Sequence, residues 1–227
     1  MTALVIAIDG PSGSGKSSAA RGAALALGLP YLDTGAMYRA VTWWLLEHGV
    51  DAADAEAVAA RVPRLPLEVS TDPADQWVRV GGLEATGRIR ERRVSNAVSL
   101  VAAVPQVRRH LVAAQRRIIA DAVATAGGIV AEGRDIGTVV APAADVKVFL
   151  TASEQVRAER RSAELAAGQG RGPSAVLTRI EQARRDRRDA PQTQVAADAI
   201  VIDTTALGLD EVIARIVGLA DGKPVSA

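Results

Sequence analysis

LVIAIDGPSGSGKSS, Leu4–Ser18, joins a short apolar run to a glycine-rich turn and then to an Ala/Leu-rich segment. Leu4–Ile8 is β-branched and does not alternate, which is the pattern of a central parallel strand buried on both faces. Gly10 to Ser17 matches the phosphate-binding-loop pattern G-x-x-x-x-G-K-S/T. Gly10 lets the chain leave the strand in a tight turn. Gly13 and Gly15 carry no Cβ, so backbone N–H groups can approach a phosphate closely. The turn opens a helix, whose first N–H groups and dipole favour anions. Lys16 then reaches the terminal phosphates as a point charge, and the Ser17 hydroxyl is placed for Mg²⁺. The stretch expected to hold ATP is therefore Gly10, Pro11, Ser12, Gly13, Ser14, Gly15, Lys16, Ser17 and Ser18.

Outward from this stretch, the 227 residues suit one α/β domain with inserts. Hydrophobic residues make up 48% of the chain and aromatics only 3%, so the core must be aliphatic. The formal net charge of +1 gives no reason to expect a polyanion. Lysine occurs only at positions 16, 147 and 223, and one of the three fills the lysine place of the motif. The absence of cysteine excludes disulfides, thiol nucleophiles and Cys-ligated zinc. His48 and His110 are too far apart in sequence to suggest a metal site. No stretch approaches the roughly 20 apolar residues that span a bilayer, and a cytoplasmic protein without membrane partner is expected.

Further along, an Ala/Leu helix is expected from Lys16 to Leu27, ended by Gly28 and Pro30. Tyr31–Leu32 reads as a second strand, and Ala36–His48 has helical spacing closed by Gly49. Between Pro63 and Ile89 the texture changes. Leu67–Val69 and Trp77–Val80 alternate as antiparallel strands do, and Gly81-Gly82 reads as a hairpin turn. Helices return at Glu91–Ala102 and Pro105–Ala124. Ile129–Ala131, Val146–Leu150 and Ala199–Ile202 supply three more buried strands, and a last helix runs over Leu209–Ala220. Strands alternating with helices predict an α/β fold: a parallel five-stranded sheet with helices on both faces. The loop Gly168–Pro173, between two Arg-rich helices, has the layout of a lid.

Three further groups of residues narrow the chemistry. Leu32–Arg39 puts small polar groups at a strand end, where open α/β sheets bind ligands. Glu132-Gly133-Arg134-Asp135 follows the third strand of the sheet, and Glu132 is placed to orient Mg²⁺-bound water. Arg157, Arg160 and Arg161 share one helix face, and Arg171, Arg179, Arg184, Arg185, Arg187 and Arg188 continue the series. Arginine suits phosphate because its planar fork gives two parallel hydrogen bonds. Interleaved acids and missing aromatic platforms argue against a nucleic-acid surface.

The motifs IDGPSGSGKS (Ile8–Ser17), LDTGAMYR (Leu32–Arg39), the run Gly87–Arg116, EGRDIGTVV (Glu132–Val140) and VKVFLTAS followed by RAERR (Val146–Arg161) occur in an order that resembles the bacterial (d)CMP kinases. The resemblance spans about Val5 to Val217. It implies a P-loop NTPase-type core over 1–60 and 95–227, a helical lid near 155–190 and a small β-rich NMP-binding insert over 61–94. It also implies transfer of the γ-phosphoryl group of ATP to CMP or dCMP, with Mg²⁺, in a monomer. UMP, AMP, a shikimate-like acid or nucleotide binding without transfer are the competing readings. By this resemblance Thr34 lines the CMP pocket, and Arg39 and Arg134 hold its phosphate. Ser99, Arg108 and Asp135 recognise cytosine, while Arg157 and Arg161 are lid arginines near ATP. Arg185 and Asp189 open a stretch whose aspartate meets the ribose. Lys16, Arg134, Arg157 and Arg161 are the expected catalytic charges, with Ser17 and Glu132 at the metal. One departure stands out: the family's late phosphate-binding arginine is Gln192 here or is absent, so that either Arg184, Arg187 or Arg188 substitutes or the CMP phosphate is held by fewer cations.

Overall fold

The computed structural model describes residues 3–62, 65–169 and 175–222. Most of the loop expected at Gly168–Pro173, Arg171 included, lies outside the described residues, as do Pro63 and Lys223.

Five strands form one parallel sheet: β1 (Leu4–Asp9), β2 (Tyr31–Asp33), β6 (Gly128–Gly133), β7 (Val146–Thr151) and β8 (Ile200–Asp203), in the order β2-β6-β1-β7-β8. β1 lies at the centre, with Asp9 opposite Gly133 on one side and Phe149 on the other. Ile6, Ala7 and Ile8 are fully buried, as their unalternating pattern required. The carboxyl ends of β1, β2 and β6 therefore bring Asp9, Asp33 and Glu132 to one edge of the sheet.

Helices cover both faces. One face packs on α1 (Lys16–Leu27) and α8 (Leu209–Ala220) through Ala19, Ala20, Ala23, Ala24, Val212 and Ile216. The alanines let α1 approach the strands closely. The other face packs on α2 (Thr34–Glu47), α4 (Arg92–Ala103) and α5 (Pro105–Ala126). A three-stranded antiparallel sheet of β3 (Leu67–Val69), β4 (Val78–Val80) and β5 (Leu83–Glu84) lies against α2. Val78, Val80, Ala85 and Ile89 join the same hydrophobic cluster as Leu32 and Ala131 of the main sheet. The β-rich segment thus shares a core with the parallel sheet. Gly81 and Gly82, both at positive φ, make its turn, as the glycine pair foretells.

Among the elements with no counterpart in the sequence reading are a short helix and a π-helical turn. α3 (Ala55–Arg61) is one short helix capped by Asp54, whose carboxylate accepts from Glu56 and Ala57. Ile136–Val140 forms a single π-helical turn, although its β-branched residues favour a strand. The last two helices, α6 (Glu154–Gln169) and α7 (Ala175–Asp189), pack on each other, and α7 also packs on α4. Among the described residues no helix is long and apolar enough to cross a membrane.

Leu111 on α5 is fully buried against the second face of the sheet. Leu111→Ala is expected to lower the unfolding free energy by about 2–5 kcal/mol, read from urea denaturation.

Candidate active site

A cavity of about 430 Å³ opens over the carboxyl edge of the sheet. Residues 12–19 line one end. Ser99, Arg108, Asp135 and Gln192 line the other, with Arg39, Arg134, Arg161 and Arg185 between.

The glycine-rich loop is shaped by close contact. Gly10 has φ 148°, and a Cβ there would stand 2.1 Å from the Leu150 carbonyl oxygen. Gly13 has φ 79°, and its Cβ would meet the Arg157 carbonyl oxygen and the Gln182 side chain at 2.6 Å each. No other residue type fits either place without moving backbone. Lys16 donates to the Pro11 carbonyl at 3.2 Å. Burial lowers its pKa, against the opposing pull of Glu132.

Glu132 sits at the end of β6 and is almost fully buried. It accepts from the Tyr31 hydroxyl at 2.9 Å, and the nearby Ser17 side chain favours its charged form. Burial raises its pKa, and the neighbouring Asp33 adds to the rise. Asp33 also caps α2, accepting from Ala36 at 2.9 Å. Thr34 donates to the Glu132 carbonyl at 2.7 Å. Ser17, Asp33 and Glu132 thus gather hard oxygen donors beside the lysine. Among the described residues there is no cluster of three or more His, Cys, Asp or Glu able to cage a metal alone. That composition fits Mg²⁺, which keeps several waters and takes substrate oxygens besides one or two protein ligands.

In the middle of the cavity four arginines stand close together. Arg134 donates to the Gly10 carbonyl at 3.2 Å and pairs with Asp189 at 2.9 Å. Arg185 stands 3.5 Å from the same carboxylate. Arg39 donates to the Ile89 carbonyl at 3.1 Å and the Ser95 hydroxyl at 2.9 Å, and Arg161 donates to that hydroxyl at 3.3 Å. Burial lowers the pKa of Arg39, and Arg185 and Arg161 add repulsion. Burial also pulls Arg185 down to about 10, with Arg134 acting the same way. Such a group of mutually repelling guanidinium ions gains most from a doubly charged anion among them.

At the far end, Arg108 is ion-paired with Asp135 and donates to the Gln192 amide oxygen at 3.1 Å. Burial opposes the Arg108 charge, but the Asp135 carboxylate outweighs it and raises the pKa. Ser99 is buried on α4 beside this pair.

The cavity therefore brings together residues 12–18, Thr34, Arg39, Ser99, Arg108, Glu132, Arg134, Asp135, Arg161, Arg185 and Asp189. Gly10 and Pro11 lie behind the loop they begin. Arg157 stands outside the lining: it donates to the Ser12 carbonyl at 3.2 Å and pairs with Asp186. Arg160, one residue before Arg161, does line the cavity, held at 2.8 Å by both the hydroxyl and the carbonyl of Thr204. Its i, i+3 spacing from Arg157 marked the face, not which member would turn inward. Tyr38, Asp33 and Thr204 also reach the cavity without having been foreseen. Gln192 bonds Arg108 rather than joining the arginine group.

A glycine-rich loop between β1 and α1, a central β1 and an Arg-lined cavity at the strand ends define a phosphotransferase of the P-loop kinase class. The sequence model of the family described as cytidylate kinase matches residues 6–221. A cytidylate kinase of Streptomyces griseus subsp. griseus is 46% identical over 226 residues, covering 100% of this chain and 96% of the relative. One of Nocardia farcinica is 50% identical over 217 residues, covering 93% and 91%. The chain belongs to the cytidylate kinase family. Among solved structures, an uncharacterized protein from Eubacterium ventriosum aligns with a TM-score of 0.51 over 98% of this chain and 100% of its own. At 12% identity it speaks for the fold alone.

Because Arg185 is buried among like charges, Arg185→Gln is expected to leave the thermal midpoint without added anion unchanged or higher. The rise in midpoint produced by added sulfate should shrink. Thermal unfolding with and without sulfate reads both.

Proposed function

We propose that this chain transfers the γ-phosphoryl group of ATP to CMP or dCMP, giving ADP and CDP or dCDP. The observation that carries the proposal is one continuous cavity with a phosphate loop at one end, an Arg108–Asp135 pair at the other and four arginines between.

In this reading the triphosphate tail lies on the amides of Ser12 to Ser18, with Lys16 exchanging its bond to Pro11 for the terminal phosphates. Ser17 and Glu132 would hold Mg²⁺, which spreads the charge of the phosphate oxygens when bound. The acceptor's phosphate lies among Arg39, Arg134, Arg161 and Arg185. One of its oxygens forms the new bond to the γ-phosphorus as the bond to the bridging oxygen of ADP breaks. That oxygen is already anionic near neutral pH, so no strong general base is needed, and the protein's work is positioning and positive charge. Asp135 accepts from the exocyclic amine of cytosine, and Arg108 and Ser99 face its acceptor edge. Thr34 closes the pocket wall, and Asp189 reaches the ribose. The segment 61–94 frames the acceptor side, and the helices of 155–190 act as a lid. Arg157 takes part only if its bonds to Ser12 and Asp186 give way as those helices move. Arg160, already inside the cavity, is the nearer lid cation.

ADP release measured against CMP, dCMP, UMP and AMP tests the assignment. CMP and dCMP should outpace UMP and AMP by about a hundredfold or more, because a pocket paired to one base edge leaves the others unmatched. Equal rates with all four, or none with CMP, would refute it. Lys16→Ala should abolish transfer and keep the folded circular-dichroism spectrum. Asp135→Ala should lower the CMP/UMP ratio far more than it weakens ATP binding.

A further inference from the structure

Asp9 is the last residue of β1 and directly precedes the phosphate loop, yet its side chain does not line the cavity. It is 5% exposed. Its two carboxylate oxygens each accept one backbone bond: Oδ1 from Ile136 N–H and Oδ2 from Gly137 N–H, both at 2.8 Å. Those amides are the first two of the π-helical turn Ile136–Val140. Burial raises the Asp9 carboxyl to about 6, and the two amide bonds work against that rise. A carboxylate is therefore kept in an unfavourable place by this one contact.

The contact bears on Asp135. Asp135 occupies the N-cap position of the turn, where an aspartate ordinarily bends its own carboxylate back onto the first free amides. It makes no such bond. Of the amides an N-cap carboxylate reaches, those of the second and third residues of the turn, Asp9 already takes Gly137 N–H, and the Asp135 carboxylate points instead to Arg108. Arg134, one residue earlier, is tied to the Gly10 carbonyl, the residue after Asp9. Three bonds thus fix residues 134–137 on residues 9–10, and two of them belong to Asp9.

We propose that Asp9 is a positioning residue for acceptor selection: by capping the turn from another strand, it frees Asp135 to pair with Arg108 and face the base. This rests on the reading of Asp135 as the base-reading carboxylate. An amide at position 9 offers one acceptor in place of two. The uncapped N–H then draws Asp135 back onto its own turn, and Arg108 loses its partner.

The test is a double-mutant cycle of Asp9→Asn and Asp135→Asn, reading kcat, the KM values for CMP and ATP, and the CMP/UMP ratio. Asp9→Asn should raise the KM for CMP about tenfold, the scale of one buried charged hydrogen bond. The CMP/UMP ratio should fall, and the KM for ATP should stay within about twofold. In the Asp135→Asn background the same change should move the KM for CMP by less than about twofold, since its effect runs through Asp135. Additive effects, or equal losses toward ATP and CMP, overturn the role of Asp9 while the reading of Asp135 stands. An Asp135→Asn variant with unchanged CMP/UMP preference sinks that reading and this proposal together. Should Asp9→Asn not fold, amide hydrogen exchange on the wild-type protein decides. Ile136 and Gly137 should exchange as slowly as the strand amides of β1, and exchange at the rate of exposed loops overturns the cap.

Discussion

Arg39, Arg134, Arg161 and Arg185 are held close enough to feel one another's charge, and Asp189 is a shared counter-ion to Arg134 and Arg185. Left to itself such a cluster would spread into solvent. Each guanidinium is rooted in a different element: Arg39 in α2, Arg134 just past the end of β6, Arg161 in α6 and Arg185 in α7. α2 and the strand that leads to Arg134 are fixed by apolar burial that owes nothing to the charges, through Leu32, Met37, Ile129 and Ala131, while α6 and α7 pack on each other. The aliphatic core thus stabilises an arrangement that electrostatics alone would disperse. A site under such internal repulsion is prepared for an anion before the anion arrives, which is the sense of preorganisation in phosphoryl transfer.

The central strands were legible because they are buried on both faces and carry the unbroken apolar runs such burial demands, Leu4–Ile8 and Ile129–Ala131, whereas the strand expected to be buried at Ala199–Ile202 forms β8 at the edge of the sheet, with Ile200 and Val201 exposed. The antiparallel hairpin was legible through Gly81-Gly82. The order of the sheet was not, since β2 and β6 are neighbours across nearly a hundred residues and nothing local in either strand names its partner. α3 escaped because one short helix offers too few turns for a periodic signal, although Asp54 followed by Glu56 was a cap in plain view. The π-helical turn escaped for a different reason. Ile136, Val139 and Val140 favour extended backbone, and the acceptor of the turn's first two amides, Asp9, lies on another strand.

The same distinction runs through the site. A motif whose members are contiguous, such as residues 10–17, carries its geometry in its spacing. Side chains that meet only in the folded molecule do not. Helical spacing placed Arg157, Arg160 and Arg161 on one face, but the face is curved around the loop. Arg157 falls behind it on the Ser12 carbonyl, and Arg160 falls in front, on Thr204. Gln192, whose place in the chain names no partner, accepts from Arg108 across the fold.

Side chains from distant elements also set the direction of the loop's peptides. The Ser12 carbonyl accepts from Arg157 at 3.2 Å and from Gln182 at 2.6 Å, and neither residue lines the cavity. In a trans peptide the carbonyl and the following N–H point to opposite sides. Bonding the Ser12 oxygen toward α6 and α7 therefore turns the Gly13 N–H the other way, toward the space the phosphate chain would occupy. The Ser14 carbonyl is tied likewise to the Thr204 hydroxyl at 3.1 Å, which orients the Gly15 N–H. The loop's capacity to grip an anion is thus not a property of its glycines alone. Glycine permits the conformation at Gly13, where a Cβ would strike the Arg157 backbone and Gln182, and those same two residues select it. α6 and α7 are thus tied to the glycine-rich loop through one carbonyl oxygen, that of Ser12.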